Sequence, residues 1–354
     1  MIIEPFGTDK SVPYAKHNIS RFNEPRRLTD VSERINPFPT HTLEHIPLGE
    51  LVKHQFADLR YETIREEMKM LQLGIRLHDV NTLCAPEEKT MEARVEKAKL
   101  EGFSCVHLAY QKVMGEIRFD AAALNEGLAC YTKRVFGREG LDIAVLGCYL
   151  NLAHPDPKEL ENIKSRYFGH LRVAALAGCS VVGTETGAPN AQYKLDANTH
   201  SREALDTFIR NLSDVVERAE HWGVSMAIEP VWNHIVYNAD RAVEVLKAIQ
   251  SPNLRIILDP VNLLCMENAD DREAIFQDAM EKLCDHIAVV HLKDFVRRDG
   301  KLISVAAGTG EMQYESILRF VKERKPFIQA TLENTTNENA VQAREFIQRV
   351  YEEM

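Results

Sequence analysis

The chain of 354 residues has seven cysteines, but no two of them form a Cys-x-x-Cys pair. This absence argues against the zinc and redox sites that are built on such pairs. Cys105, Cys148 and Cys179 lie instead in apolar, strand-like runs. Scattered cysteines of this kind are typical of buried, reduced thiols, so we expect a cytoplasmic location.

The sequence also lacks an excess of basic residues and any long apolar run. Its 43 lysines and arginines are outnumbered by 53 aspartates and glutamates, which leaves a net charge of −10. Broad contact with nucleic acid or with an anionic membrane surface needs the opposite sign of charge, so neither is expected as a partner. No stretch approaches the roughly 18 apolar residues that a membrane span needs.

The N-terminal part of the chain differs from the rest. Residues 1–48 are rich in proline, asparagine, threonine and charge, and they show no sustained periodicity, which predicts an extended arm. Apolar residues then recur at near-helical spacing between Leu48 and Met70, which predicts a leading helix. We expect residues 49–354 to form one domain behind the arm.

From Leu73 onward, short apolar runs alternate with amphipathic segments. The predicted strands are Leu73–His78, Cys105–Tyr110, Leu141–Tyr149, Cys179–Thr186, Ser225–Pro230, Arg255–Pro260, Ile287–Asp294 and Phe327–Asn334. One intervening helix is predicted over Ser201–His221, with Thr199 or Ser201 as its cap and Gly223 at its end. Eight such units in succession predict an α/β fold, a single closed (β/α)8 TIM barrel.

Four polar side chains stand at the C-terminal ends of the last four predicted strands. These strand-end residues are Glu229, Asp259, His291 and Glu333. In a parallel barrel the strand C-termini converge on one face, where active sites are built. Three carboxylates and one imidazole predict a site for one divalent metal ion, with Mn²⁺ as the first choice and Mg²⁺, Co²⁺ or Zn²⁺ as alternatives.

Such a site suits the chemistry of a keto-sugar. The hydroxyl and carbonyl oxygens of the sugar could chelate the ion, which would then stabilise an enediolate as a Lewis acid. Glu229 and Glu333 could remove the proton beside the carbonyl and return it. The metal site and the two glutamates therefore predict a sugar isomerase or epimerase.

Several stretches of the chain resemble the xylose-isomerase-like barrel superfamily of sugar isomerases, ketose 3-epimerases and inosose dehydratases. The resemblance covers about residues 70–350. It is carried by Ile228-Glu-Pro230, Leu258-Asp-Pro-Val-Asn262, Val290-His-Leu-Lys-Asp294, Gly308-Thr-Gly-Glu311 and Leu332-Glu-Asn334.

The resemblance implies that the four strand-end residues bind the metal and that the two glutamates move the proton. It also implies substrate contact for Arg297, six residues after the metal histidine. The chain departs from ketose 3-epimerases at Asn262, where they often carry a histidine. Trp232-Asn-His234 stands in the region where they carry a second glutamate.

Five further residues are candidates around the metal. His154 follows the third strand in an Asn-Leu-Ala-His-Pro segment and could act as an acid or base. Glu185 ends the fourth strand, and His234 and Asn262 follow the fifth and sixth. Lys293 lies two residues after His291, and residues two apart in a strand point to the same side, so it could face the pocket and neutralise an oxyanion. We expect the last four to bind substrate.

Two alternatives to an isomerase remain open. The first is a lyase that cleaves a 3-oxo-glycoside by β-elimination together with a small second subunit, an activity found in the barrel subunits of C-glycoside deglycosidases. The second is a barrel that binds a sugar without catalysis. The expected partners are a small sugar or glycoside and either further copies of the chain or the small subunit, with the arm as a candidate assembly surface.

Overall fold

The computed structural model of the protein describes residues 70–80 and 90–354. The predicted arm, and the predicted leading helix apart from Met70, lie outside the described residues. In the part of the chain that is described, no helix is long and apolar enough to cross a membrane.

Among the described residues, eight parallel strands close into a barrel, and two more form a hairpin. In chain order the strands are β1 (Gln72–Arg76), β2 (Cys105–Leu108), β3 (Asp142–Gly147), β4 (Val181–Glu185), β5 (Ser225–Glu229), β6 (Leu254–Leu258), β7 (Ile287–Leu292), β8 (Asp294–Arg298), β9 (Lys301–Val305) and β10 (Gln329–Leu332). The barrel runs from β1 to β7 in sequence order, and β10 closes it between β7 and β1. The predicted (β/α)8 barrel is therefore confirmed.

The helices of the described residues pack around this barrel. They are α1 (Met91–Leu100), α2 (Tyr110–Val113), α3 (Glu126–Glu139), α4 (Pro157–Ala177), α5 (Arg202–Trp222), α6 (Ala239–Ile249), α7 (Arg272–Leu283), α8 (Glu315–Arg324) and α9 (Ala340–Glu352). Local sequence sets their ends: the Ser201 hydroxyl accepts a hydrogen bond from the Ala204 amide at the start of α5, and Gly223 adopts a left-handed conformation after it. The prediction for this helix was correct to within one residue.

The lower part of the barrel interior is filled with aliphatic side chains. They are Val145, Val181, Ala227, Ile257 and Val289. Gly183 leaves room for two of them, because a Cβ atom at this position would lie 2.6 Å from both Ile257 Cδ1 and Val145 Cγ2. This apolar layer separates the two ends of the barrel, and active sites of such barrels form at the C-terminal ends of the strands.

The seventh strand is shorter than predicted. The apolar run suggested a strand that continues to Asp294, but β7 ends at Leu292 and the antiparallel hairpin of β8 and β9 follows. The hairpin turns at Asp299 and Gly300, both of which have positive φ. Asp-Gly is a strong hairpin signal, so this pair in the sequence could have predicted the turn.

Candidate metal centre and substrate cavity

The barrel brings the four strand-end residues into one cluster. Glu229 is the last residue of β5, Asp259 and Glu333 directly follow β6 and β10, and His291 lies in β7. All four side chains are buried. Because β5, β6, β7 and β10 are consecutive around the barrel, their ends face a common point.

His291 lies at the centre of this cluster. Its Nδ1 atom is 3.5 Å from Glu229 Oε2 and 3.3 Å from Glu333 Oε1. Glu229, Asp259 and His291 place one potential ligand atom each within 4.8 Å of one another. His107, His291 and Glu333 form a second group of the same size, so the two groups share the central imidazole.

The cluster fits a divalent ion. Within the described residues, neither ring nitrogen of His291 makes a hydrogen bond, although the side chain has no solvent exposure. A buried polar atom without a partner is costly, and a metal ion is one way to satisfy it. Carboxylate oxygens with one imidazole nitrogen form a donor set that suits Mn²⁺, Mg²⁺, Co²⁺ or Zn²⁺.

Lys293 and Asn262 link the carboxylates of the cluster. The Lys293 ammonium lies 2.7 Å from Asp259 Oδ2 and 3.4 Å from Glu333 Oε2. It donates a hydrogen bond to Asn262 Oδ1 at 2.7 Å, and Asn262 Nδ2 donates to Glu229 Oε1 at 2.6 Å. The side chain of Asn262 therefore orients a glutamate and a lysine at once.

Sequence reasoning missed Arg76 of β1 and His107 of β2. Arg76 Nη1 lies 3.5 Å from Glu333 Oε2, and the Arg76 side chain also pairs with Asp79. The His107 ring stacks on His291 with 5.2 Å between centroids, and its Nε2 atom is 2.8 Å from the Tyr149 hydroxyl. Arg76 and His107 lie near strand ends, which was the available signal, but an arginine and a histidine on early strands were not read as members of the site.

The two glutamates have different electrostatic environments. Burial raises the pKa of Glu229 to about 7, and the charge of Glu333 adds to the effect. Burial also raises the pKa of Asp259 to about 6. Burial acts in the same direction on Glu333, but His291 and Lys293 outweigh it and hold the pKa of Glu333 well below its usual value. The two glutamates of the cluster therefore have pKa values shifted in opposite directions, upward for Glu229 and downward for Glu333.

A polar cavity of about 410 Å³ opens above the cluster. Glu229, Lys293 and Glu333 face it, and its walls include His78, Lys112, Tyr149, Glu185, Ser304 and Asn334. A volume of this size is within the range of pockets that hold small molecules. The cavity is lined by donors and acceptors on all sides, which suits a ligand with many hydroxyl groups.

Glu185 and His234 lie together at one side of this cavity. Glu185 is in register with Glu229 on the neighbouring strand, and its Oε2 atom is 3.9 Å from His234 Nδ1. Burial, followed by the charge of Glu229, raises the pKa of Glu185 to about 7. Burial lowers the pKa of His234 to about 4. Glu185 lines the cavity, whereas His234 lies next to Glu185 and does not line the cavity.

Two predicted site residues lie elsewhere. His154 lies in the turn before α4, where its Nδ1 atom accepts a hydrogen bond from the Asp156 amide, and it lines a separate cavity near Asn198. Arg297 is on β8, where its side chain forms an ion pair with Asp270 at 2.6 Å. The structure does not bring either side chain to the walls of the polar cavity.

Comparison with known proteins agrees with the fold. The family model described as xylose isomerase-like TIM barrel matches residues 95–350. A curated protein of Mycoplasma pneumoniae, described as a probable L-ribulose-5-phosphate 3-epimerase, is 27% identical over 144 residues. That match spans 40% of this chain and 44% of the relative, so the chain covers less than half of the length of this relative.

Solved structures share the barrel at low sequence identity. A D-tagatose 3-epimerase-like protein has a TM-score of 0.63 at 19% identity, covering 80% of this chain and 97% of its own. The IolI protein with a bound zinc atom has a TM-score of 0.62 at 15% identity, covering 80% and 99%. A 3-keto-D-glucoside 4-epimerase from E. coli has a TM-score of 0.59 at 14% identity, covering 79% and 99%. With its family match over most of the described barrel, the chain belongs to the xylose isomerase-like TIM barrel family.

Proposed function

We propose that the protein is a divalent-metal-dependent isomerase or epimerase that acts on a keto-sugar. The observation that carries this proposal is the convergence of Glu229, Asp259, His291 and Glu333 beneath a polar cavity large enough for a sugar. The names of the similar proteins support it, since they include ketose and keto-glucoside epimerases.

The four strand-end residues would hold the metal. When bound, the ion would act as a Lewis acid that polarises a sugar carbonyl. The nitrogens of His291, which have no hydrogen-bond partner in the described part of the chain, and the mixed oxygen and nitrogen donor set support this assignment. A manganese ion is our first choice.

The chain's own residues then move one proton. Glu229, with its raised pKa, is the general base that takes the proton from the carbon beside the carbonyl. Glu333, on the other side of His291, is the partner that exchanges the proton at the opposite face of the sugar. The Lys293 ammonium stabilises the enediolate oxygen, and Asn262 keeps Lys293 and Glu229 in position. Glu185 and the Tyr149 hydroxyl bind sugar hydroxyls.

A lyase that eliminates the substituent of a 3-oxo-glycoside is the second candidate. Asn262 in place of a histidine and the similarity to a keto-glucoside epimerase favour it. The first step is the same proton removal by Glu229, after which the anomeric substituent leaves. This candidate includes a small second subunit, so a native mass measurement that shows only copies of this chain would count against it.

Metal content is the first test. Elemental mass spectrometry on the purified protein should find about one divalent ion per chain, as one four-ligand site requires. Asp259→Asn and His291→Ala should lose it, and the exposed His221→Ala should keep it. A protein that contains no metal and takes none up on addition would contradict the proposal.

Proton exchange tests the reaction itself. The metal-loaded protein should incorporate deuterium from D2O into a ketose or a 3-keto-glycoside at the carbon beside the carbonyl, as measured by NMR. An isomerase or epimerase returns the labelled sugar, whereas a lyase releases the substituent. A lack of deuterium incorporation into every member of a panel of ketoses, aldoses and 3-keto-glycosides would contradict both proposed functions.

A further inference from the structure

A second cavity lies beside the polar one, on the outer side of the loops after β5 and β6. This apolar groove has a volume of about 560 Å³ and runs between the N-terminal parts of α6 and α7. Its walls include His200, Trp232, Tyr237, Leu263 and Ile275. The proposed metal chemistry uses none of these side chains.

The groove and the polar cavity share one thin wall. The wall is the short turn Val261–Leu263, in which Asn262 faces the polar cavity and the next residue, Leu263, faces the groove. The Trp232 amide donates a hydrogen bond to the Asn262 carbonyl at 2.7 Å, which fastens the loop after β5 to this turn. The polar cavity and the groove therefore lie on opposite sides of one turn.

Flat, apolar surfaces dominate the groove. The Trp232 side chain is 38% exposed, which is unusual for so large an apolar group. The rings of His200 and Tyr237 lie 4.3 Å apart with an interplanar angle of 39°. Such surfaces favour contact with another ring.

The polar side chains of the groove are already satisfied by the protein. Asn238 caps α6 by accepting from the Arg241 amide, and Asn268 bonds to the backbone of Cys265 and Leu263. The two acids at the edge, Asp240 and Asp278, both pair with Lys282. A ligand in the groove is therefore stabilised mainly by the apolar surface that it buries, and little by new hydrogen bonds to the groove.

We propose that this groove binds a flat apolar substituent of the sugar substrate, so that the substrate class is an aryl glycoside of a keto-sugar rather than a free keto-sugar. The inference rests on the proposed function, because it places the sugar ring in the polar cavity. An aryl glycoside carries its aromatic ring directly beside the sugar, and the groove is the apolar cavity next to the polar one. The groove then selects substrates by the group attached to the sugar.

Fluorescence of Trp232 provides a test that does not require turnover. The chain has two tryptophans, Trp222 and Trp232, so Trp222→Phe leaves a single reporter in the groove. The probes are matched pairs of 4-nitrophenyl and methyl glycosides of glucose, galactose and xylose, together with 4-nitrophenol alone. In at least one pair the aryl member should bind about tenfold tighter or more, since it buries an additional aromatic ring.

Two substitutions on α7 localise the effect. Ile275→Arg places a long charged side chain in the groove and should abolish the advantage of the aryl glycoside. Gln277→Arg adds the same charge on an exposed position of the same helix, outside the groove lining, and should leave the advantage intact. Methyl glycosides quench the fluorescence of Trp232 only weakly. Their affinities for each variant are therefore measured by calorimetric titration.

Several outcomes would overturn the inference: equal affinities within every pair, no saturable binding of any glycoside, an aryl advantage that survives Ile275→Arg, or 4-nitrophenol that binds as tightly as its glycosides. Failure of the proposed function looks different. In that case metal uptake and proton exchange fail while the aryl advantage stands. If exchange occurs on simple keto-sugars and the pairs bind equally, the function stands and the groove inference falls.

Discussion

Glu229 and Glu333 show how one barrel shifts the pKa of the same residue type in opposite directions. Burial and the charge of Glu333 raise the pKa of Glu229 to about 7, because the opposing effects of Lys293 and of the Asn262 hydrogen bond are smaller. Glu333 is just as deeply placed, but it lies among Arg76, His291 and Lys293, which outweigh the effect of burial and lower its pKa. Two glutamates with pKa values shifted in opposite directions are therefore held in one cluster.

Replacement of either glutamate tests these roles. Glu229→Gln and Glu333→Gln should each lower turnover by about 10²- to 10⁴-fold, the usual contribution of a general acid or base. Deuterium uptake into the sugar, followed by NMR, separates proton transfer from binding. The exposed Glu217→Gln on α5 is the matched control and should behave like the natural protein. Near-normal exchange in both glutamine variants would remove the proton-transfer roles.

Residue type and position along the chain predicted the four strand-end residues of this site. They could not show which other side chains contact those four. The four strand-end residues could be chosen because each follows an apolar run, a local signal. Arg76 and His107 enter the site only because β10 closes the barrel against β1, a pairing between residues far apart in sequence. His154 was chosen by the same local logic, yet its turn directs it to another cavity.

At the scale of elements, a single carboxylate at the start of β8 holds the loop that follows β9. Asp294 is buried and accepts four backbone hydrogen bonds, from the amides of Phe295, Gly308, Gly310 and Met312. A Cβ atom at Gly310 would lie 2.4 Å from Asp294 Oδ1, so glycine is required for this close approach. The fastening holds the wall of the polar cavity that carries Ser304.

Loss of this carboxylate should increase the mobility of the loop that follows β9. In Asp294→Asn an amide group must face backbone donors, and each buried donor without a partner costs about 1–3 kcal/mol. Hydrogen exchange measured by mass spectrometry should show faster exchange over residues 306–312, while the strands of the barrel keep their protection. Asp270→Asn, which breaks only the exposed pair with Arg297, is the control. Unchanged exchange in Asp294→Asn would show that the turn holds without its carboxylate.

For the whole molecule, buried histidines link stability to pH. His170 is buried in α4, where its Nδ1 atom hydrogen-bonds to the Arg166 carbonyl at 2.8 Å. Burial lowers its pKa to about 4, below the value of 6.5 in the unfolded chain. The unfolded state therefore binds a proton first as the pH falls, so stability is lost from pH 6.5 downward.

This linkage predicts a measurable difference in slope. Between pH 7.5 and pH 5, His170 should account for a loss of about 2 kcal/mol in the free energy of unfolding. Denaturant titrations should show a shallower loss in His170→Gln than in the natural protein, even if the variant is less stable at neutral pH. The exposed His221→Gln should keep the natural slope. Equal slopes in all three proteins would mean that His170 does not titrate differently in the two states.

The sequence by itself determined the alternation of strands and helices and the choice of four polar residues at strand ends, because periodicity, caps and turn residues are local properties. Only the tertiary structure decided which further side chains meet those four, where Arg297 and His154 lie, and that Asn262 separates a polar cavity from an apolar groove. These features depend on the closure of the barrel and on loops that cross its rim. Contacts of that kind join residues far apart in the chain, and no local pattern encodes them.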